Sequence, residues 1–403
     1  MNRFALLFLP LAAGTAVAEN LEFEVGGRIQ ADLSRFDGLY SNDGSAQNTA
    51  YFRRVYLETS TIHGDWELVF NYDFSLNQGT RRDGHIHEAL VEYSGVEGLE
   101  LRFGRFDPHF GLENAISSSW NTALERSQGY DMANWANSHD NGLGLQALAE
   151  LGDSTQVVAG IYRKNANDDG DHANQFNLRA VFAPRHQAGD VLHAGVSFAR
   201  RDLDRIGNAD VRYRSPLGFY GVETASGFDA GSEGNEPLLG GSDDADRGTW
   251  SHDRAWNLEA AWASGPLSLQ AEYLRRDTRA RGVTRDLAGR SWYVQVAYTL
   301  TGEAREYELA DFSRISPDNA GLGAWELYYR YGRMDVEDDN LEVDETRTPG
   351  DASARLHTLG VNWYASESVR LGLMYVHARL ERVTNEAGDD TGDGVVLRAQ
   401  YTF

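Results

Sequence analysis

From Leu21 onward the side chains alternate between apolar and polar for longer than a globular strand lasts. Leu21, Phe23, Val25, Ile29, Ala31 and Leu33 fall on one phase, and Glu22, Glu24, Arg28, Gln30 and Asp32 on the other. The alternation returns with Trp66, Leu68, Phe70 and Tyr72 against Glu67, Asn71 and Asp73. It closes the chain with Val395, Leu397, Ala399, Tyr401 and Phe403 against Arg398, Gln400 and Thr402. A period of two sends successive side chains to opposite faces of a strand. Strands of about 9–11 residues with one greasy and one polar face are what a tilted transmembrane strand requires; soluble sandwiches use shorter ones.

Sixteen segments carry this signal, at roughly 20–36, 49–63, 65–76, 85–95, 98–106, 141–151, 154–163, 172–183, 190–202, 252–263, 266–278, 290–300, 321–335, 351–364, 367–382 and 392–403. Connectors after odd-numbered segments are long, and those after even-numbered ones are tight turns such as His63-Gly64 and Gly265-Pro266. Only 301–320 is long on the short-turn side. The reading is an all-β fold, a 16-stranded antiparallel transmembrane β-barrel whose closure removes the strand edges that hydrocarbon cannot tolerate. A barrel of that size leaves a water-filled lumen. Trp66, Tyr93, Trp262, Trp325, Tyr331, Trp363 and Tyr401 sit near strand ends on the apolar phase, as interfacial girdles would.

The charge narrows the function. The 61 acidic residues outnumber 37 basic ones, all arginine except Lys164, for a formal net charge of −24. That balance disfavours nucleic-acid binding. No cysteine is present, which excludes disulfides, thiol catalysis and cysteine zinc sites. Arg3, the apolar stretch 4–13 and Ala16-Val17-Ala18 read as a secretory signal over 1–18, with a single barrel over 19–403. No segment is long and apolar enough for a transmembrane helix.

Loop 107–140, the third on the long-loop side, is expected to fold inward and narrow the lumen. Phe110, Leu112, Ile116, Trp120, Leu124 and Trp135 argue against a solvated flap, while Ser117, Ser118, Ser119, Asn121, Thr122 and Arg126 offer hydrogen-bond donors to an oxyanion. The serines and threonine could instead cap short helices. Arg28, Arg54, Arg102, Arg179, Arg276, Arg330, Arg370 and Arg398 lie on the polar phase; Arg53 does not, and needs a bulge or a rim position to face inward. The same phase carries Glu22, Glu24, Glu58, Glu67, Glu88, Glu92, Glu100, Glu259, Glu272 and Glu326, so the lumen is mixed.

The chain resembles the phosphate-selective porin O and P family of Gram-negative outer membranes. The resemblance rests on Gly27-Arg28-Ile29-Gln30, Tyr51-Phe52-Arg53-Arg54-Val55-Tyr56, Phe110-Gly111-Leu112-Glu113 with Ser117-Ser118 and Glu125-Arg126-Ser127. It extends to Tyr298 to Glu303 with Arg305-Glu306-Tyr307, Gly323 to Leu327, Asn362-Trp363-Tyr364 and Tyr375 to Ala378. It implies a homotrimer in the outer membrane, in contact with outer-membrane lipid and lipopolysaccharide, that lets small anions, phosphate or polyphosphate, diffuse passively without a cofactor. It also implies an anion pathway through Arg28, Arg53, Arg54, Arg126, Ser117 and Ser118; the polar phase adds Arg102 and Arg330. Arginine suits the task because its planar fork binds phosphate oxygens bidentately and stays charged. The chain departs from the family in having no lysine in loop 107–140.

Other readings carry less. A porin for organic acids, sugars or cations keeps the barrel and drops the phosphate selectivity. A barrel phospholipase needs a Ser-His pair on the apolar phase, and none stands out; there is also no G-x-S-x-G, Walker or H-E-x-x-H motif. Asp389 to Gly394 resembles the start of a calcium loop but has Gln400 at its twelfth position, and His85 and His87 suit rim residues better than a metal pair.

Overall fold

The alternating segments pair edge to edge and close on themselves. The computed structural model describes residues 21–41, 45–74, 84–138, 142–165, 172–204, 211–219, 238–240, 249–338, 350–381 and 390–403. The signal segment 1–18, the acidic stretch 168–171 and residues 339–345 of the acidic run 335–345, which sequence reads as solvated loop tips, lie outside the described residues. The first nine strands are β1 (Leu21–Gly38), β2 (Gln47–His63), β3 (Trp66–Asp73), β4 (His85–Val96), β5 (Leu99–Arg105), β6 (Leu143–Glu150), β7 (Thr155–Asn165), β8 (His172–Gln187) and β9 (Asp190–Asp202). Two short ones follow, β10 (Tyr213–Arg214) and β11 (Leu238–Gly240), then β12 (Trp250–Ser264), β13 (Leu267–Ala280) and β14 (Leu287–Thr299). The last are the short β15 (Tyr307–Glu308) and β16 (Asp311–Phe312), then β17 (Ala324–Asp338), β18 (Gly350–Tyr364), β19 (Val369–Glu381) and β20 (Asp390–Thr402). Sixteen of these form one closed antiparallel barrel; β10–β11 and β15–β16 are separate hairpins in connectors. Closure runs through β1 and β20, where Arg28 stands opposite Thr402 and Phe36 opposite Gly394.

All sixteen expected strands are present, shifted at their ends by a few residues. The calcium-like segment is one departure. From Asp390 it is strand, and the Asp393 carboxylate accepts hydrogen bonds from Tyr375 and from His377 Nδ1 (2.9 Å) across the β19–β20 ladder.

The apolar phase faces outward. Phe23, Phe103 and Leu143 are each about 60% exposed, in a chain whose inward polar residues are largely buried. Outward aromatics pair near the short-turn end, Trp66 tilted against Tyr93 (4.6 Å) and Trp325 stacked on Trp363 (5.6 Å). The inward phase is not uniformly wet. On the side of β8, β9 and β12–β20 it carries Ala173, Ala199, Ala255, Ala354 and Ala378, small enough to seat loop residues. Phe110, Leu124, Met132 and Trp135 from the third loop pack there with Tyr213, Leu217 and Phe219 from the connector after β9. That connector reads as an acidic, glycine-rich loop in sequence, yet its 211–219 stretch is core.

Candidate functional site

The third loop leaves β5 and is tied by its backbone to inward side chains around most of the barrel. Lys164 Nζ on β7 donates to the Trp135 carbonyl (2.7 Å), Asn177 on β8 to Ala136 (2.6 Å) and Arg276 on β13 to Met132 (2.9 Å). Arg330 on β17 donates to the Glu125 carbonyl (3.1 Å), Arg370 on β19 to Thr122 (2.9 Å) and Arg398 on β20 to Leu124 (2.6 Å). Among its described residues the loop has three short helical turns, Leu112–Ala115, Gln128–Met132 and Asn134–Asn137, so most of its carbonyls lack local partners. Buried carbonyls need donors, and the lumen arginines supply them.

Its carboxylates are anchored as well. Glu125 accepts both Nε (2.8 Å) and Nη2 (2.9 Å) of Arg53 and also Nη2 of Arg398 (2.5 Å). Burial pushes the Glu125 carboxyl up, but the charges of Arg53, Arg398 and Arg54 outweigh it and hold the group far below the usual carboxylate range. Glu113 pairs with Arg330 Nη2 at 2.8 Å. From the other end of the barrel the connector 300–323 reaches the loop: Arg305 Nη1 donates to the Trp120 carbonyl (2.6 Å), and Leu112, Ile116, Tyr307 and Phe312 share one apolar cluster.

What stays open lies against β1–β5. From Arg28 toward the short-turn end the inward residues there are half-buried or exposed, whereas Gln30, Asp32 and Ser34 further along β1 are buried and Arg179, Arg276 and Arg398 opposite are at most 3% exposed. Arg28 stands on this open wall. Its Nη1 donates to Ser118 Oγ (2.9 Å), Ser119 Oγ (3.1 Å) and Ser117 Oγ (3.4 Å) of the loop, and its guanidinium lies 4.4 Å over the Tyr56 ring. Arg54 donates to Gln30 Oε1 (2.9 Å). Arg126 donates to the carbonyls of Glu113 (3.1 Å) and Ile116 (3.0 Å), with its guanidinium 4.4 Å over Tyr130. Burial pushes the Tyr130 hydroxyl up to about 12; Arg126 and, more weakly, Arg54 pull it the other way. Arg28 on the wall and Arg126 on the loop are thus each cushioned by a tyrosine face, and Arg54 lies two residues along β2 from Tyr56.

The paired arginines 53 and 54 both turn inward through a bulge. The β1–β2 register passes from Gln30 opposite Arg54 to Ala31 opposite Phe52, leaving Arg53 as the extra residue. The other expected pathway residues divide. Arg53, at the buried end of that wall, and Arg330, across the barrel, lie beneath the loop and hold it through Glu125 and Glu113. Arg102 does face the passage, but Glu92 (3.1 Å) and Glu100 (2.5 Å) flank it. Asn121 and Thr122 are buried too and offer nothing to a passing ion.

The loop serines do not cap helices; none of the three turns has a side-chain cap. Ser119, Tyr56, Tyr130 and Glu58, which lies 3.7 Å from Arg28, complete the site. Tyr56 and Glu58 were legible as inward-phase neighbours of Arg54; that the two tyrosine rings cushion guanidiniums was not. The acids of the polar phase also divide. Glu259 pairs with Arg179 (2.8 Å), Glu326 with Arg305 (2.8 Å), and Glu272 accepts the Glu113 backbone N–H (2.7 Å). Glu22, Glu24, Glu58, Glu67, Glu88, Glu92 and Glu100 remain on the open wall, mostly between Arg28 and the short-turn end.

Comparison with known proteins agrees with this geometry. A family model described as phosphate-selective porin O and P matches residues 23–403. Porin O of Pseudomonas aeruginosa is 47% identical over 391 residues, covering 96% of this chain and 89% of that one. Among solved structures, OprB of Pseudomonas putida aligns with a TM-score of 0.58 at 13% identity, covering 94% of each chain. An anion-selective porin from Comamonas acidovorans aligns with a TM-score of 0.56 at 12% identity, covering 95% of this chain and all of that one.

Proposed function

The chain belongs to the phosphate-selective porin O and P family and is a Gram-negative outer-membrane porin, and from that premise we propose that phosphate or polyphosphate crosses it along the β1–β5 wall. Arg28, Arg54 and Arg126 are the successive sites, with Ser117 and Ser118 adding hydroxyl contacts. The supporting observation is Arg28, set between the Tyr56 face and the loop serines beside the open lumen. An ion arriving there trades water for guanidinium and hydroxyl donors. Spreading those donors along the wall keeps each site weak enough to release it. Arg53 and Arg330 position the loop, and Arg102 acts as a tempered site because two carboxylates share it.

The working assembly is a homotrimer, exported by cleavage after Ala18, with its outer face against lipid and lipopolysaccharide. It acts as a channel and catalyses nothing.

Planar-bilayer recording tests this reading. The reversal potential in a chloride gradient should show anion preference, and added phosphate should block chloride current. Arg126→Ala should weaken both. Cation preference, or chloride current indifferent to phosphate, would transfer the channel to organic acids, sugars or cations, a reading the carboxylates beside Arg28 would then explain.

A further inference from the structure

The outer surface near the long-loop end carries a cluster of arginines above an apolar groove. Phe103, Leu145, Ile161 and Phe176 line an open apolar groove across β5–β9, and Arg163 and Arg200 stand at its rim. Arg163 and Arg200 are both near the ends of strands that lead into long connectors, which places them at the outer-leaflet side. One strand further, Arg254 on β12 is directly opposite Arg200. Two residues closer to the membrane centre, Phe198 faces Trp256 with ring centroids 4.4 Å apart. The guanidiniums therefore sit immediately above the aromatic edge of the apolar band, at headgroup depth.

Like charges directly opposite on a sheet destabilise it. Two carboxylates temper this pair: Asp202, which lines the same groove, and Asp277, which stands directly opposite Arg254 on β13. Asp202 reaches Arg200 at 3.5 Å, with both side chains half exposed. Among the described residues Arg163 and Arg254 have no ion-pair or hydrogen-bond partner, and the Arg254 Nε is shielded from solvent with no acceptor. Charge of this sign, over a groove of this polarity, is complementary to a molecule with acyl chains below and phosphate above. Arginine forks bind phosphate oxygens bidentately, and desolvation by lipid strengthens the contact.

We propose that this face of β5–β12 binds a phosphorylated, acylated glycolipid of the outer leaflet, its chains in the Phe103–Phe176 groove and its phosphate on Arg163, Arg200 and Arg254. The site rests only on the outer-membrane placement of the barrel, and it lies on the face opposite the lumen.

The test uses the full-length protein in detergent, stripped of lipid and titrated with bisphosphorylated lipid A, its dephosphorylated form and phosphatidylglycerol. Native mass spectrometry counts the lipid retained. Lipid A should bind best, and R163Q/R200Q/R254Q should weaken it roughly tenfold or more, since each lost charge-assisted contact approaches a decade in affinity. Equal binding of dephosphorylated lipid A, equal binding of phosphatidylglycerol, or an unaffected triple variant would overturn the proposal. Single-channel conductance on the same preparations should be unchanged by the triple variant, which keeps failure of the lipid site separate from failure of the channel.

Discussion

Arg28 is the residue on which ion preference should turn. It stands on the open wall, and its one ion-pair partner among the described residues is Glu58, at 3.7 Å. Arg28→Gln should lower anion selectivity and weaken phosphate block roughly tenfold, the worth of a charge-assisted contact. Glu58→Gln should act in the opposite sense, because it removes the charge that competes with a passing anion for the same guanidinium. Reversal potentials of the two variants check both signs. Arg53 has a different role, seen in its bidentate bond to Glu125. Arg53→Ala leaves a buried carboxylate that Arg398 and, more weakly, Arg54 still compensate, a loss of up to about 3–5 kcal/mol where the site is fully dry. The loop should then become open to protease while the barrel persists; an unchanged digestion pattern would deny Arg53 its anchoring role.

At the scale of elements, the third loop and the connector 300–323 form one packed unit within the lumen. Burial pushes the Asp311 carboxyl up to about 7, with the Arg179 charge pulling the other way by less. Its folded value thus lies above the unfolded value of about 3.9. Protonated Asp311 therefore favours the packed hairpin fully below about pH 4, and the contribution is lost as pH rises through about 7. Amide exchange over 307–312, corrected for its intrinsic pH dependence, should slow as pH falls from about 8 to about 5. Asp311→Asn should abolish that dependence. A second contact is steric. A side chain added at Gly372 on β19 would come within 2.5 Å of Leu124, so Gly372→Val should displace the loop and alter single-channel conductance without unfolding the barrel.

For the whole molecule, strand number, closure and the inward arginine phase were legible because a period of two maps directly onto two faces. The Arg53 bulge was legible for the same reason: two adjacent arginines break the phase and can both face inward only if the ladder slips by one. What the alternation could not carry was the division of the lumen. Arg28 and Arg330 occupy equivalent phases, yet Arg28 keeps 12% of its side chain exposed while Arg330, at 6%, lies beneath the loop. That difference arises from where the loop crosses, which long-range contacts to β7–β20 decide. Nor does composition distinguish residues 211–219, now core, from a solvated acidic connector. The alanines lining the inward face of β8–β19 are the trace that pairing them by register could have exposed.

The account depends most on the open passage following the β1–β5 wall. The chain has no native cysteine, so single substitutions report cleanly. Ser60→Cys and Asn71→Cys place thiols on that wall; Ser197→Cys and Gln295→Cys place them on the packed side, at positions no more than 3% exposed. An anionic methanethiosulfonate added during single-channel recording should reduce conductance in the first two and leave the second two unchanged. Reaction confined to Ser197→Cys and Gln295→Cys would mean that ions cross on the other side of the loop, and would contradict the pathway past Arg28.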